Sequence, residues 1–319
     1  MAYKYWGFRE AMKHYYRVML GRKGSMLAAC LADNYVGVGY ALEEDLTNKL
    51  PDDWRTFNRE FIPKYLATRP DKSRIAAGLA CGVIWTVSKG INIGDIVICP
   101  DGTGKYHVGE VTGAYFYVAG APLLHRRPVH WLGNTVERSD MSPALRGSTG
   151  ATGTVSDITR HSEELEKLFG GNIGATQIAT EEGVEDPAAF VMEKHLEDFL
   201  VENWSQTDLG KGYDIYEEDG EKVGQQYATD TGPVDILAIR KDKKELLVVE
   251  LKKGRASDAV VGQLLRYMGY VQAELAEKDQ IVRGAIIALE DDQRIRRALT
   301  MTTAIDFYRY QISFRLVRS

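Results

Sequence analysis

The run Leu246-Leu247-Val248-Val249-Glu250-Leu251-Lys252 constrains this chain more than any other segment. Four apolar residues in succession mark a strand covered on both faces, which belongs inside a sheet rather than at its surface. A carboxylate and an ammonium at the end of such a strand are costly to bury unless they find partners. Period-two alternation turns Glu250 and Lys252 to one face and Leu251 to the other. Just upstream, Gly232-Pro233-Val234-Asp235-Ile236-Leu237-Ala238 carries a lone acid in a second apolar strand. A hairpin closing at the charged turn 241–245 brings Asp235 beside Glu250.

Two carboxylates and a lysine meeting at a sheet edge have a defined chemical use. Hard oxygen ligands hold Mg²⁺, with Mn²⁺ as the expected substitute, and the ion keeps several of its waters. Such a metal acidifies a water and offsets charge on a phosphorane-like transition state. The lysine can orient that water or stabilise developing negative charge. A salt-bridge network at a strand end is the competing structural reading.

Around this hairpin the pattern predicts a helix at about 187–203 and strands at 234–240 and 245–252. A helix over 257–276, a strand over 281–289, a helix over 291–301 and a last strand around 311–317 complete the series. That order predicts an α/β sandwich with a mixed sheet. The Gly-, Ser- and Thr-rich stretch 138–156 reads as a linker, followed by a helix in Asp157–Gly171. The expected division is therefore an N-terminal domain over 1–137, a connector over 138–183 and a C-terminal domain over 184–319. In the N-terminal part, Arg9–Leu20 has apolar spacing suited to an amphipathic helix. Asn34–Leu42, Asp95–Pro100, Tyr106–Val118 and Pro128–Leu132 read as short strands joined by glycine turns, an α+β pattern suggesting a small barrel.

The segment from Gly232 to Val271 resembles the nuclease domains of the NucS/EndoMS endonucleases, within the wider PD-(D/E)xK superfamily that includes Mrr-type restriction enzymes. The resemblance implies a restriction-endonuclease-like fold and a catalytic core of Asp235, Glu250 and Lys252, with the metal on Asp235 and Glu250. It also implies roles for Gln263 and Tyr267, whose spacing of four puts them on one helical face. The family uses a glutamate on the preceding helix; Glu193 and Glu197 both qualify, and Glu193 fits the pattern better. Lys253 and Arg255 are expected to face DNA phosphate.

The front half does not resemble the domain that accompanies the nuclease in NucS proteins. Its phrases Val36-Gly-Val-Gly-Tyr40, Val108-Gly-Glu-Val-Thr-Gly113 and His125–Leu132 resemble the PUA-like or EVE-type barrels. That resemblance implies a reader that takes an extruded, modified base into an aromatic pocket. Trp6, Trp85, Tyr115, Tyr117 and Trp131 supply aromatic surface for stacking, although each is equally a core-packing residue. Arg126 and Arg127, beside His125, offer a local cationic site for phosphate.

Bulk properties fit this reading without proving it. The net charge is −5, but residues 1–140 carry 18 basic against 14 acidic side chains and the remainder 22 against 31. Binding to nucleic acid depends on local patches, so the total decides nothing. Cys30, Cys81 and Cys99 lack metal-knuckle spacing and read as buried thiols, the histidines show no zinc spacing, and no membrane span or signal peptide is visible. A cytoplasmic protein is expected. The sequence thus points to a Mg²⁺-dependent endonuclease acting on double-stranded DNA, with modification-dependent restriction as the first reading and a homodimer as the expected assembly. A mismatch or branched-DNA repair nuclease and an inactive DNA-binding module are the alternatives.

Overall fold

The computed structural model describes residues 13–40, 42–150, 153–169, 196–218 and 221–311. Its elements fall around two mixed sheets. The first sheet is built from β1 (Tyr15–Val18), β2 (Tyr35–Val38), β3 (Ile96–Pro100), β4 (Lys105–Val111), β5 (Phe116–Tyr117), β6 (His125–Glu137) and β7 (Val155–Asp157). Their order is β2-β6-β4-β3-β1-β7, with β5 on β6. Only β1 and β3 run parallel; the other pairs are antiparallel. A Tyr40–Thr154 side-chain hydrogen bond of 2.6 Å joins residues flanking β2 and β7, the two ends of this path, so the sheet curls back towards itself.

Among the described residues, the α-helices that accompany that sheet are α1 (Leu27–Ala32), α2 (Trp54–Thr68), α3 (Arg74–Trp85), α4 (Pro143–Thr149) and α5 (Ser162–Leu168). Helices α2 and α3 begin where sequence chemistry says they should. Asp53 and Ser73 accept hydrogen bonds from the backbone N–H groups of Thr56 and Ala76, satisfying donors that a helix start leaves orphaned.

Two expectations fail here. The segment read as an amphipathic helix, Arg9–Leu20, contains β1, and residues up to 12 lie outside the described set. All four β1 residues are buried, and β1 lies between β3 and β7, so tertiary pairing overrides a spacing that suits either period. The 138–156 stretch is not a linker either, as far as it is described. It forms α4 and β7, and buries Met141 and Leu145 against Tyr15, Ile96, Ile98 and Tyr106. Its hydroxyls are spent on the helix itself. Ser142 caps α4, while Ser148 and Thr149 donate to the carbonyls of Ala144 and Leu145.

His161 follows from the same packing. It is 9 % exposed, bonded through Nε2 to Ser148 Oγ at 2.9 Å, and burial beside Arg160 pushes its pKa down to about 4. The folded state keeps this imidazole neutral at pH values where the unfolded chain protonates it. Stability is therefore complete above about pH 6.5 and is lost as pH falls towards 4. Denaturant midpoints at pH 7 and 4.5 should show this loss in the wild type and a smaller one in His161→Gln.

The second sheet follows β13-β12-β11-β10-β8, with β9 on β10. It comprises β8 (Tyr213–Ile215), β9 (Gln225–Thr229), β10 (Gly232–Arg240), β11 (Glu245–Arg255), β12 (Ile281–Glu290) and β13 (Ile305–Arg309). Strands β11, β12 and β13 are parallel, and β8, β9 and β11 pair antiparallel with β10. Its helices are α6 (196–202), α7 (Asp208–Gly212), α8 (Ala259–Tyr270, extended by a π-helical turn to Leu275) and α9 (Gln293–Leu299). The last described strand is β13, earlier than the expected 311–317, of which 312–317 lie outside the described residues. Ile305–Arg309 is the strand instead, because its parallel register on β12, from Gly284 beside Ile305 to Ala288 beside Arg309, depends on a partner distant in sequence.

Helix α3 serves both cores. Ile75 packs with the second sheet's cluster, while Ala77, Ala80, Cys81 and Ile84 pack with the first. Gly78 permits the approach, since a Cβ there would stand 2.6 Å from Leu275 Cδ2. Asn58, fully buried, donates to the Tyr270 hydroxyl at 3.1 Å and accepts from Trp54 Nε1 at 2.9 Å. Tyr227 donates to the Ile75 carbonyl at 3.0 Å, and Arg55 pairs with Asp230. Among the described residues no helix is long and apolar enough to cross a membrane.

Candidate active site

The β10–β11 register pairs Ile236 with Val249, and one further step sets Asp235 opposite Glu250. Glu250 and Lys252 share the face of Leu246 and Val248, which α8 covers through Val260, Leu264 and Tyr267. The Asp235 carboxylate accepts the Leu251 backbone N–H at 2.7 Å, and Lys252 Nζ stands 3.4 Å from Glu250 Oε1. Both Glu250 and Lys252 side chains are largely shielded, at 3 % and 17 % exposure. The hairpin thus delivers all three residues to one place.

From α6 comes a third acid. Glu197 is 3 % exposed, and Gln225 donates to it at 2.7 Å. Gln226 bridges Glu197 and Asp235, donating to Asp235 Oδ1 at 3.2 Å. Desolvation first, then Glu250 and Glu197, raise the pKa of Asp235 well above the ordinary carboxylate range. Arg160 is close enough to Glu197 and Asp235 for both to support its charge, against the effect of burial. On α8, Gln263 donates to the Tyr267 hydroxyl at 3.3 Å. Burial raises the Tyr267 pKa, and Glu250 and Asp235 add to that rise.

The arrangement suits a small hard cation. Among the described residues no three carboxylate, imidazole or thiol groups close into a ready-made cage. Mg²⁺ does not need one, because it binds through one or two carboxylates and completes its shell with water and substrate oxygens. Besides burial, repulsion from Glu250 and Glu197 raises the pKa of Asp235, and a divalent ion would relieve that repulsion.

Of the two helix glutamates weighed from sequence, Glu193 lies outside the described residues, while Glu197 is at the site. Sequence reasoning missed Gln225 and Gln226. The available signal was the amide pair Gln225-Gln226 opening β9, the strand that precedes the one bearing Asp235. Gln226 has φ 52°, a left-handed conformation that side chains rarely adopt outside constrained sites. The ladder skips it, pairing Val234 with Tyr227 and Ile236 with Gln225. Replacing Gln226 by Gly removes the bridging amide and suits the backbone. Any reaction that this site performs should slow at least about tenfold while stability stays within about 1 kcal/mol of wild type, as read by initial rates and urea unfolding.

The proposed reader residues scatter. Trp6 lies outside the described residues. Trp85 packs on Phe57 with ring centroids 5.4 Å apart, and Trp131 donates to the Cys30 carbonyl at 3.1 Å. Tyr115 bonds His125 Nδ1 at 2.9 Å, and Tyr117 stands 5.5 Å from the same ring. Arg126 lies 3.9 Å over Tyr35. Arg127 is turned inward, donating to the carbonyls of Val87, Ser88 and Gly113, which corrects its reading as a phosphate contact. Lys253 accepts the Tyr310 hydroxyl through its carbonyl, and the exposed Arg255 pairs with Glu290 at 3.1 Å. Cys30, Cys81 and Cys99 are buried free thiols.

With that geometry in place, residues 192–310 match the Endonuclease NucS C-terminal domain, and residues 16–159 match a domain of unknown function, DUF8426. The C-terminal part of the chain is thus similar to the C-terminal domain of the NucS endonucleases. No curated protein matches the chain. Among solved structures, an EndoMS–double-stranded DNA complex is similar at 15% identity and TM-score 0.31, covering 66% of this chain and 62% of that one. A repair endonuclease from Pyrococcus abyssi is similar at 15% identity and TM-score 0.30, covering 66% of each. EndoMS in apo form is similar at 20% identity and TM-score 0.27, covering 38% of this chain and 45% of that one. The chain therefore spans under two thirds of these structures' length.

Proposed function

We propose that this chain is a metal-dependent DNA endonuclease whose N-terminal half selects the substrate. The observation that carries the reading is Asp235, Glu250 and Lys252 drawn together by one hairpin beside Glu197. Asp235 and Glu250, with Glu197 behind them, would hold Mg²⁺ or Mn²⁺. Bound there, the ion would acidify an attacking water and offset charge on the phosphoryl group. Lys252 holds its ammonium where it can orient that water or meet the developing negative charge. Gln226 fixes Glu197 against Asp235, and Tyr267 with Gln263 limits access from the α8 side. One such site cuts one strand, so double-strand cleavage calls for two copies, most simply a homodimer.

For selection, the reading is recognition of a modified base in a PUA-like or EVE-type domain, as in modification-dependent restriction. A cavity of about 350 Å³ supports it, with Tyr40, Tyr65, Glu43 and Arg69 among its lining residues. A carboxylate and a guanidinium beside tyrosine edges suit the hydrogen-bonding edge of a base. The second reading is mismatch or branched-DNA repair, favoured by the NucS match over residues 192–310. Cleavage of matched unmodified, 5-methylcytosine and hydroxymethylcytosine plasmids, with Mg²⁺ and with EDTA, decides between them. Cutting confined to modified DNA supports restriction. Equal cutting of all three discards the modified-base reading and directs the test to mismatched duplexes.

A further inference from the structure

The catalytic row of the second sheet continues beyond the residues already described. The parallel register aligns Glu250 with Ile286 and Phe307, and Lys252 with Ala288 and Arg309. Aligned residues share a face, so Phe307 and Arg309 stand on the side of Glu250 and Lys252. Two strand spacings of about 4.8 Å put them roughly 10 Å away. At this margin α9 closes an open cavity of about 560 Å³ lined by Asp291, Arg296, Leu299, Thr300, Phe307 and Arg309. That volume lies within the range of small-ligand sites, about 300–1,000 Å³.

Its charge is unbalanced in favour of an anion. Arg296 makes a two-pronged contact with Asp291, at 2.6 and 2.8 Å. Arg309 also acts on Asp291, helping to hold that carboxyl below its usual range after the Arg296 hydrogen bond. Two guanidinium groups therefore face one carboxylate, and the exposed Arg294 and Arg297 on α9 add to the same end of the sheet. Phe307 gives the cavity a half-buried apolar wall.

We propose that this cavity is a DNA-backbone subsite: Arg309 and Arg296 hold a phosphate a step or two along the strand from the scissile one, with the deoxyribose against Phe307. The inference rests on the endonuclease reading and deepens it. It also explains why β13 ends in arginine at the row of Lys252.

The test is binding of the full chain to a fluorescent 20-base-pair duplex in EDTA, read by anisotropy across a salt series. Arg309→Ala should weaken binding about 3- to 10-fold and reduce the slope of log affinity against log salt by about 1. Asp291→Asn, which removes the competing carboxylate, should tighten binding. Unchanged affinity and slope in Arg309→Ala, while the wild type still binds and cleaves, overturns the subsite alone. A wild type that neither binds nor cleaves DNA overturns the endonuclease reading and the subsite together. Competition by inorganic phosphate at millimolar concentration, without a dependence on duplex, would mark a free-phosphate site and also overturn the proposal.

Discussion

Lys252→Ala should lower the rate of DNA cleavage about 100- to 1,000-fold with little change in the apparent affinity for DNA. The reason is position. Lys252 sits on a shielded strand end, 3.4 Å from Glu250, where an ammonium acts in a medium less screening than water. A group used only as negative charge develops raises the rate without contributing to ground-state binding. Lys252→Arg should recover little, because a planar guanidinium does not reproduce a compact ammonium. Single-turnover kinetics with saturating enzyme separates the chemical step from binding. An equal loss in affinity and rate would assign Lys252 to substrate binding instead.

The second large effect is structural and lies at the junction of the two sheets. Tyr270→Ala should destabilise the protein by about 3–5 kcal/mol, the cost of deleting a large buried ring. Tyr270 is 1 % exposed, meets Trp54 edge-on, and its hydroxyl is the acceptor for buried Asn58. Tyr270→Phe isolates the polar part, leaving an Asn58 N–H unsatisfied, and should cost about 1–3 kcal/mol. Urea unfolding followed by two probes, one per sheet, should show coincident transitions in the wild type. In Tyr270→Ala they should separate, because the contact of α8 with Trp54 and Asn58 of α2, which helps to join the two cores, is lost.

The β10–β11 hairpin was legible because its signals were local. A long apolar strand ending in Glu250 and Lys252, a charged turn and an upstream Asp235 specify a hairpin and its facing acids without tertiary information. The same holds for α8, where Gln263 and Tyr267 are one helical turn apart. What was illegible depended on partners distant in sequence. Tyr15–Val18 becomes a strand only because Ile96–Ile98 and Val155–Asp157 flank it. The Ser- and Thr-rich residues 142–149 look like a solvated linker until their hydroxyls are seen bonded to their own helix. Gln226 reaches the site through a skipped ladder position and a left-handed backbone, neither of which has a composition signature. Arg160 follows β7 of the first sheet, and no spacing rule links it to Asp235. Among the aromatic candidates, the shared ambiguity of Trp and Tyr between core and pocket was beyond sequence to resolve.

The central claim is that Asp235 and Glu250 hold the metal that drives phosphodiester cleavage. The most direct measurement follows supercoiled plasmid nicking by wild type and Asp235→Asn, each with Mg²⁺ and with EDTA, alongside thermal melting under the same conditions. The account predicts Mg²⁺-dependent nicking by the wild type only, and a Mg²⁺-induced rise in melting temperature that Asp235→Asn lacks. Without metal, Asp235→Asn should melt no lower than wild type at neutral pH, since it removes a carboxylate held above its ordinary pKa. Nicking by Asp235→Asn at the wild-type rate would contradict the account.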